Sequence, residues 1–271
     1  MRPFGVNKPV TNDPRGTTPA AVARGDMVLF RWERGEALAR IEEKATRIEG
    51  LGVLKESTVV GIPFGGRITI GAQTVHLIRP TLPDYLRLLK RGAQIITPKD
   101  AGLILLNCAI GAGASVVEFG VGSGALTLTL LHAVGPHGKV LSIDNNPKHC
   151  EVARKNVART PWGASWELRE EDCRASKVEH PADAVVMDLP SPWECIASAR
   201  EALVPCGRLA SYSPTINQTE KLATGLEAAG FGDVRTVELL EREHIVREGS
   251  SRPSFEMLGH TGYLTFARKL E

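Results

Sequence analysis

Residues 118–125 read Glu-Phe-Gly-Val-Gly-Ser-Gly-Ala and come after the apolar run Ser115-Val116-Val117. Three glycines, Gly120, Gly122 and Gly124, let the backbone pass close to a ligand without Cβ clashes. Two more acids lie further along the chain. Asp144 is about 20 residues beyond Gly124, where a carboxylate can accept both hydroxyls of an adenosine ribose. Asp172 sits in Glu-Glu-Asp-Cys, where an adenine N6 amine would be placed. Two cofactors fit this arrangement. A dinucleotide turn asks for G-x-G-x-x-G/A, which Gly120, Gly122 and Ala125 satisfy. An S-adenosylmethionine turn asks for an acid just ahead of G-x-G-x-G, and Glu118 with Gly124 supplies it. Acids at three successive strand ends suit an ammonium and a sulfonium and repel a pyrophosphate. The methyl donor is therefore favoured over nicotinamide, although Asp172 also reads as a solvated acid beside Glu170 and Glu171.

A second chemical segment is Asp188-Leu189-Pro190-Ser191-Pro192-Trp193, after the apolar Ala184-Val185-Val186-Met187. The spacing brings Asp188 out at a strand's carboxyl end, beside the expected methyl group. The prolines stiffen the loop beyond it. Trp193 offers a face on which a base could stack, worth about 1–3 kcal/mol; it reads equally well as core. The loop resembles the Asp/Asn-Pro-Pro-aromatic loop of enzymes that methylate amino groups on nucleic-acid bases, with one residue inserted between the prolines. N1 of adenine is a weak nucleophile, and methylating it leaves a cationic base. A carboxylate that accepts a hydrogen bond or proton from N6 pushes electron density back into the ring. The structural alternative for Asp188, a helix N-cap, places it several residues too early.

These groups need a scaffold, and the pattern supplies one. From Pro98 onward, strands alternate with helices of ten to fifteen residues, as in SVVEF, ALTLTLLHAV, KVLSID, PKHCEVARKNVA, SWELR, DAVVMDL, WECIASAREAL, GRLASYS and TEKLATGLEAAG. That alternation predicts a mostly parallel sheet with helices on both faces. VRTVELLE and GYLTFAR, with no helix between them, predict an antiparallel edge. Residues 22–80 are short and strand-like (MVLFRW, RITIGA, TVHLIRP) and read as a small β module. Residues 1–21, with four prolines, read as a flexible tail. Pro80 to Gly92 reads as a connecting helix assigned, with residues 81–271, to the larger domain.

The chain has 271 residues, 42% apolar and 24% charged, which is ordinary globular composition. Its longest apolar runs are about ten residues against the roughly 20 that a membrane-spanning helix needs. The five cysteines form no C-x-x-C, so neither a zinc cluster nor a disulfide framework is expected. The N-terminus carries no secretory pattern, and a reducing cytoplasm is the expected location. Net charge is only +2, but residues 1–100 hold 16 Lys/Arg against 10 Asp/Glu, whereas residues 101–271 hold 17 against 21. A basic first third suits a polyanionic partner, and equally an ordinary solvated surface.

Taken together, RGAQIITPKDAGLIL, VVEFGVGSGALTLTL, Asp144, DLPSPW, SYSPTINQ and GHTGYLTFARK are similar to the tRNA (adenine-N1)-methyltransferases of the TrmI family, especially its archaeal branch. The similarity runs from about Val22 to Lys269. It implies a Rossmann-like S-adenosylmethionine-dependent methyltransferase domain with a small N-terminal β domain, in an α/β fold. The implied substrate is adenine 58 in the tRNA T-loop, with 57 as a neighbouring target, and the implied assembly is a homotetramer. By the same resemblance Ser123, Gly124 and Ala125 line the methionine part of the cofactor. Asp144 takes the ribose with His149 nearby, Asp172 holds the adenine, Ile96 makes a backbone contact and Asp188 is catalytic. The family commonly has Tyr or His ahead of Pro98 to place the base. Here Thr97 stands there, with a hydroxyl and no ring, and it reads equally as the N-cap of the next helix.

His260 and Tyr263 match the family ending, and a structural role reads as well for both. Arg87, Lys90, Arg91 and Lys99 lie within one short stretch and could contact phosphate. The rival readings are a methyltransferase on another RNA or a protein carboxylate, a nicotinamide oxidoreductase, and a non-catalytic tRNA-binding subunit. No metal is expected.

Overall fold

A computed structural model describes residues 20–90, 92 and 95–271. Most of the expected tail and Arg91 lie outside the described residues. The chain divides into two compact units, residues 1–88 and 89–271.

In the first unit, β1 (Met27–Trp32), β2 (Gly35–Arg40), β5 (Arg67–Ile70) and β6 (Gln73–Ile78) form an antiparallel sheet in the order β2-β1-β6-β5. β3 (Ala45–Ile48) and β4 (Gly52–Lys55) form a separate hairpin. Alternate apolar residues bury one face, and Val28, Phe30, Ile41, Ile48, Val75 and Leu77 make the core. Ala20 and Ala21, expected in the tail, instead pair with Phe64 and Pro63. The connecting helix is also shorter than expected. It is α1 (Leu82–Arg87), and it groups with this unit. Its side chains explain why: Arg87 pairs with Glu36 of β2, and Asp84 lies 3.6 Å from Arg31 of β1.

The second unit opens with α2 (Pro98–Asn107), succeeded by β7 (Ser115–Phe119), α3 (Ala125–Val134), β8 (Lys139–Ile143), α4 (Pro147–Val157), β9 (Trp166–Arg169), β10 (Ala182–Met187), α5 (Ile196–Ala202), β11 (Leu203–Ser213), α6 (Ile216–Ala228) and β12 (Phe231–Glu238). A two-residue pairing of β13 (His244–Ile245) with β14 (Arg252–Pro253) precedes β15 (Tyr263–Lys269). The sheet order is β12-β15-β11-β10-β7-β8-β9. Every pairing from β11 to β9 is parallel, while β15 is antiparallel to both its neighbours. The expected antiparallel edge is present: β12 and β15 pair antiparallel at one end of the sheet, with β15 inserted between β11 and β12 and β12 outermost. β7 and β10 are mostly apolar and buried because both their faces are covered. Val185, Met187, Leu209, Leu222 and Leu226 are buried in the resulting core.

From β7 the chain winds outward through β8 and β9, then returns to β10 on the other side of β7. The strand order reverses at that junction, and open α/β sheets bind ligands in the crevice outside it.

Candidate active site

The turn after β7 is built on left-handed backbone. Gly120, Gly122 and Gly124 have φ of 89°, 50° and 79°, a region that L-residues adopt at a cost. Gly124 caps α3. A Cβ on Gly122 would meet nothing within 4 Å, so open space lies over the turn. Asn156 of α4 fastens the turn from behind, donating to the Ser123 and Lys90 carbonyls at 2.9 Å each. The Ser123 hydroxyl accepts from the Gly92 amide at 3.0 Å.

Glu118 is wholly buried under this turn. Its Oε2 accepts from Thr127 Oγ1 at 2.7 Å and Ser142 Oγ at 2.5 Å, and Trp166 Nε1 in turn donates to Ser142 at 2.9 Å. Its Oε1 is buried with no hydrogen-bond partner among the described residues. Burial pushes the Glu118 carboxyl up to about 8, and the negative charges of Asp188 and Asp144 push the same way. An ammonium or another donor brought over the turn would relieve both the missing bond and the misplaced proton.

Asp144 leaves the end of β8 and ties three loops together. It accepts from the amides of Val121 at 2.9 Å, Gly122 at 3.3 Å and Asn146 at 2.8 Å. His149 Nδ1 lies 3.4 Å from it. The three amides take most of the roughly four acceptor positions of a carboxylate. A cavity, about 630 Å³ counted to its open mouth, lies between the ends of β8, β9 and β10. Asp144, Asp172, Cys173, Leu189, Pro190 and Cys195 are among its lining residues. Asp172 is clamped by Arg174, whose Nε lies 3.0 Å from both carboxylate oxygens, and this pair holds the carboxyl down near 2.

Asp188 stands at the switch point, its amide donating to the Phe119 carbonyl at 2.8 Å. None of the described residues donates to its carboxylate. Burial pushes that carboxyl up to about 6, helped by the Asp144 charge and opposed by His149. Among these acids only Asp188 combines a strand-end position at the reversal with a free carboxylate.

Several expected contacts turn out differently. The Lys99 ammonium is not offered to solvent. It is 10% exposed and bonded to Asp100 at 2.8 Å and Thr261 Oγ1 at 2.8 Å. Asp100, fully buried, also accepts from Thr97 Oγ1 at 2.8 Å and Thr261 Oγ1 at 3.0 Å. Thr97 is thus the N-cap residue of α2 with its hydroxyl committed inward. The Trp193 ring packs on the core and carries the Lys221 ammonium 4.4 Å above its centroid, so that face is taken. His260 bridges Glu238 at 2.6 Å and the Pro214 carbonyl at 2.8 Å, beside the Tyr263 ring. Arg87 is held by Glu36 and Asp84 in the first unit. Lys90 is exposed, and Ile96 is buried ahead of α2. The network missed by sequence reasoning joins Asp100, Thr261 and Tyr212, whose hydroxyl donates to the Thr261 carbonyl. Its only advance sign was that SYSPTINQ and GHTGY are polar where buried strands end.

A parallel sheet with one inserted antiparallel strand, a glycine turn over an orphan acid, and a cavity lined by strand-end carboxylates define an S-adenosylmethionine-dependent methyltransferase. Comparison with solved structures agrees. An S-adenosylmethionine-dependent O-methyltransferase from Thermotoga maritima matches with TM-score 0.83 and 28% identity, covering 96% of this chain and 98% of that one. The tRNA (m1A58) methyltransferase TrmI from Aquifex aeolicus matches with TM-score 0.75 and 29% identity, covering 93% and 100%. Among curated proteins, the tRNA (adenine(57)-N(1)/adenine(58)-N(1))-methyltransferase TrmI of Methanocaldococcus jannaschii is 38% identical over 221 residues, 72% of this chain and 78% of that protein. A family model described as the tRNA methyltransferase complex GCD14 subunit matches residues 73–251. The chain belongs to this family, that of the TrmI-type tRNA (adenine-N1)-methyltransferases.

Proposed function

We propose that this protein methylates N1 of adenine in the T-loop of tRNA, at position 58 and at the neighbouring 57. The observation that carries this reading is the Asp188 carboxylate at the strand reversal, to which none of the described residues donates, in a chain of this family. Bound S-adenosylmethionine supplies an electrophilic methyl group. The chain's own residues do the rest. Asp144 and His149 face the ribose side of the cavity, Asp172 the adenine side, and the turn from Gly120 to Ala125 receives the methionine part. Asp188 accepts a hydrogen bond or proton from the target N6 amine, which makes N1 the better nucleophile. Leu189 and the two prolines hold Asp188 in place, so most of the remaining rate gain is positional. Thr97, through Asp100, fixes the backbone at Ile96 as it passes the site.

A recessed target atom requires the base to leave its stack. Phosphate contacts, with exposed Lys90 among them, dominate affinity, so tRNA binding weakens steeply with salt. A tRNA substrate also supports a cytoplasmic location, and the family resemblance supports a homotetramer, which analytical ultracentrifugation tests directly.

One observation favours a second reading. The Thermotoga maritima structure, similar over nearly the whole chain, carries an O-methyltransferase name. Incubating the protein with labelled methyl donor and either unmodified tRNA or bulk protein separates the two. N1-methyladenosine in the nucleoside digest supports the proposal; label found in protein carboxyl esters and absent from tRNA overturns it.

A further inference from the structure

Cys173 and Cys195 come from separate loops, one after β9 beside Asp172 and one in the short turn after Asp188. Their sulfurs nonetheless lie 2.8 Å apart. Both residues line the cavity that Asp144 and Asp172 share. Cys195 is 2% exposed, whereas Cys173 is half-buried and can be reached. The separation exceeds a covalent S–S bond of about 2.05 Å by less than an ångström, so side-chain adjustment suffices to close it. The nucleophilic form of cysteine is the thiolate. The hydrogen bond from the Cys195 thiol favours that form at Cys173, lowering its pKa, and it holds the proton on Cys195. Burial and the neighbouring Asp172 carboxylate oppose the thiolate, and the Arg174 guanidinium assists it; the hydrogen bond outweighs them.

We propose that Cys173 and Cys195 are a dithiol oxidation site in the wall of the cavity, converted to an intramolecular disulfide by low-molecular-weight disulfides and shielded when the cofactor is bound. The Cys173 thiolate attacks one sulfur of the small disulfide and releases one thiolate. Cys195 then attacks the Cys173 sulfur and releases the second, and its proton passes to a departing thiolate. The two cysteines lose two electrons and the small disulfide gains them. The shielding rests on the proposed reading of the cavity, whereas the oxidation does not.

The full-length protein carrying Cys206→Ser, which removes an exposed thiol outside the site, is treated with oxidised glutathione and digested without reduction. Mass spectrometry is expected to find a Cys173–Cys195 cross-linked peptide. Adding Cys195→Ser should leave a lasting glutathione adduct on Cys173, and adding Cys173→Ser should leave neither product. Native protein in which Cys173 stays unmodified in both backgrounds overturns the proposal. S-adenosylhomocysteine at ten times its calorimetric Kd should slow cross-linking about tenfold, because about one site in eleven remains free. An unchanged rate in the presence of measured binding overturns the shielding. Cross-linking without any measurable S-adenosylhomocysteine binding overturns the cofactor reading of the cavity and leaves the dithiol site standing.

Discussion

Gly120 and Asp188 meet backbone to backbone: a Cβ on Gly120 would lie 2.1 Å from the Asp188 carbonyl oxygen. The ends of β7 and β10 are thus in van der Waals contact where the strand order reverses, and only glycine leaves room. Gly120→Ala would combine a left-handed φ of 89° with that clash. We expect a loss of about 2–4 kcal/mol in urea unfolding, together with a loss of S-adenosylhomocysteine affinity by calorimetry. A variant as stable as the parent would contradict this packing.

Asp188 must be ionised to accept from N6. Its carboxyl lies near 6, so methyl transfer is expected to rise with pH through about 6 and to level off above it. Asp188→Asn should lower kcat by about 100- to 10,000-fold and abolish that rise while leaving S-adenosylhomocysteine affinity within a few fold. A pH–rate profile of single turnovers on tRNA checks both.

Glu118 makes the empty protein pH-sensitive. Its folded carboxyl holds a proton up to about 8, while the unfolded one releases it near 4.5. Between those values the folded state binds more protons than the unfolded state. Stability therefore falls as pH rises, by up to about 1.4 kcal/mol per pH unit. Urea midpoints from pH 5 to 9 should show this slope, and Glu118→Gln should flatten it. The same variant should bind the methyl donor more weakly, having lost the charge that answers an ammonium.

Among the described residues, Asp100 is the sole carboxylate partner of a nearly buried ammonium. Asp100→Ala would leave Lys99 uncompensated and release Thr97 and Thr261 together. A loss of about 3–5 kcal/mol is expected, read as a lowered urea midpoint. Replacing Lys99 with Met in the same chain should restore part of it.

His260 should titrate above the usual 6.5 because Glu238 and the Pro214 carbonyl both favour the imidazolium. Whatever this bridge contributes to stability is present below pH 6.5 and is lost as pH rises through the folded value. Glu238→Gln should bring the His260 titration back down, as tracked by its ring proton shifts in NMR.

Gly120, Asp144 and Asp188 stood out as candidates in advance because each sits where an apolar run stops, and strand ends are what a parallel sheet turns into a crevice. The side chains that hold those groups were harder to see. Ser142 and Thr127 look like ordinary polar breaks in apolar segments, yet both point at Glu118. Lys99 looked like a surface base because Thr261, which joins Asp100 in enclosing its ammonium, is 162 residues away. Trp193 offered an aromatic face, and nothing in its neighbourhood along the chain announces Lys221 above it. Long-range polar pairing leaves no period in a sequence, whereas alternation of strand and helix does.

The insertion of β15 between β11 and β12 sets an order on synthesis. β12 leaves the ribosome before residues 239–262 and has no neighbour in the sheet until β15 emerges after them. Until then β11 shows a bare edge and α6 hangs from an unanchored strand. A nascent chain halted before Thr261 can assemble the crevice from β7, β8 and β10, but it cannot build the Asp100–Thr261 tie, so its ligand pocket would form ahead of the bolt that locks α2 against the sheet.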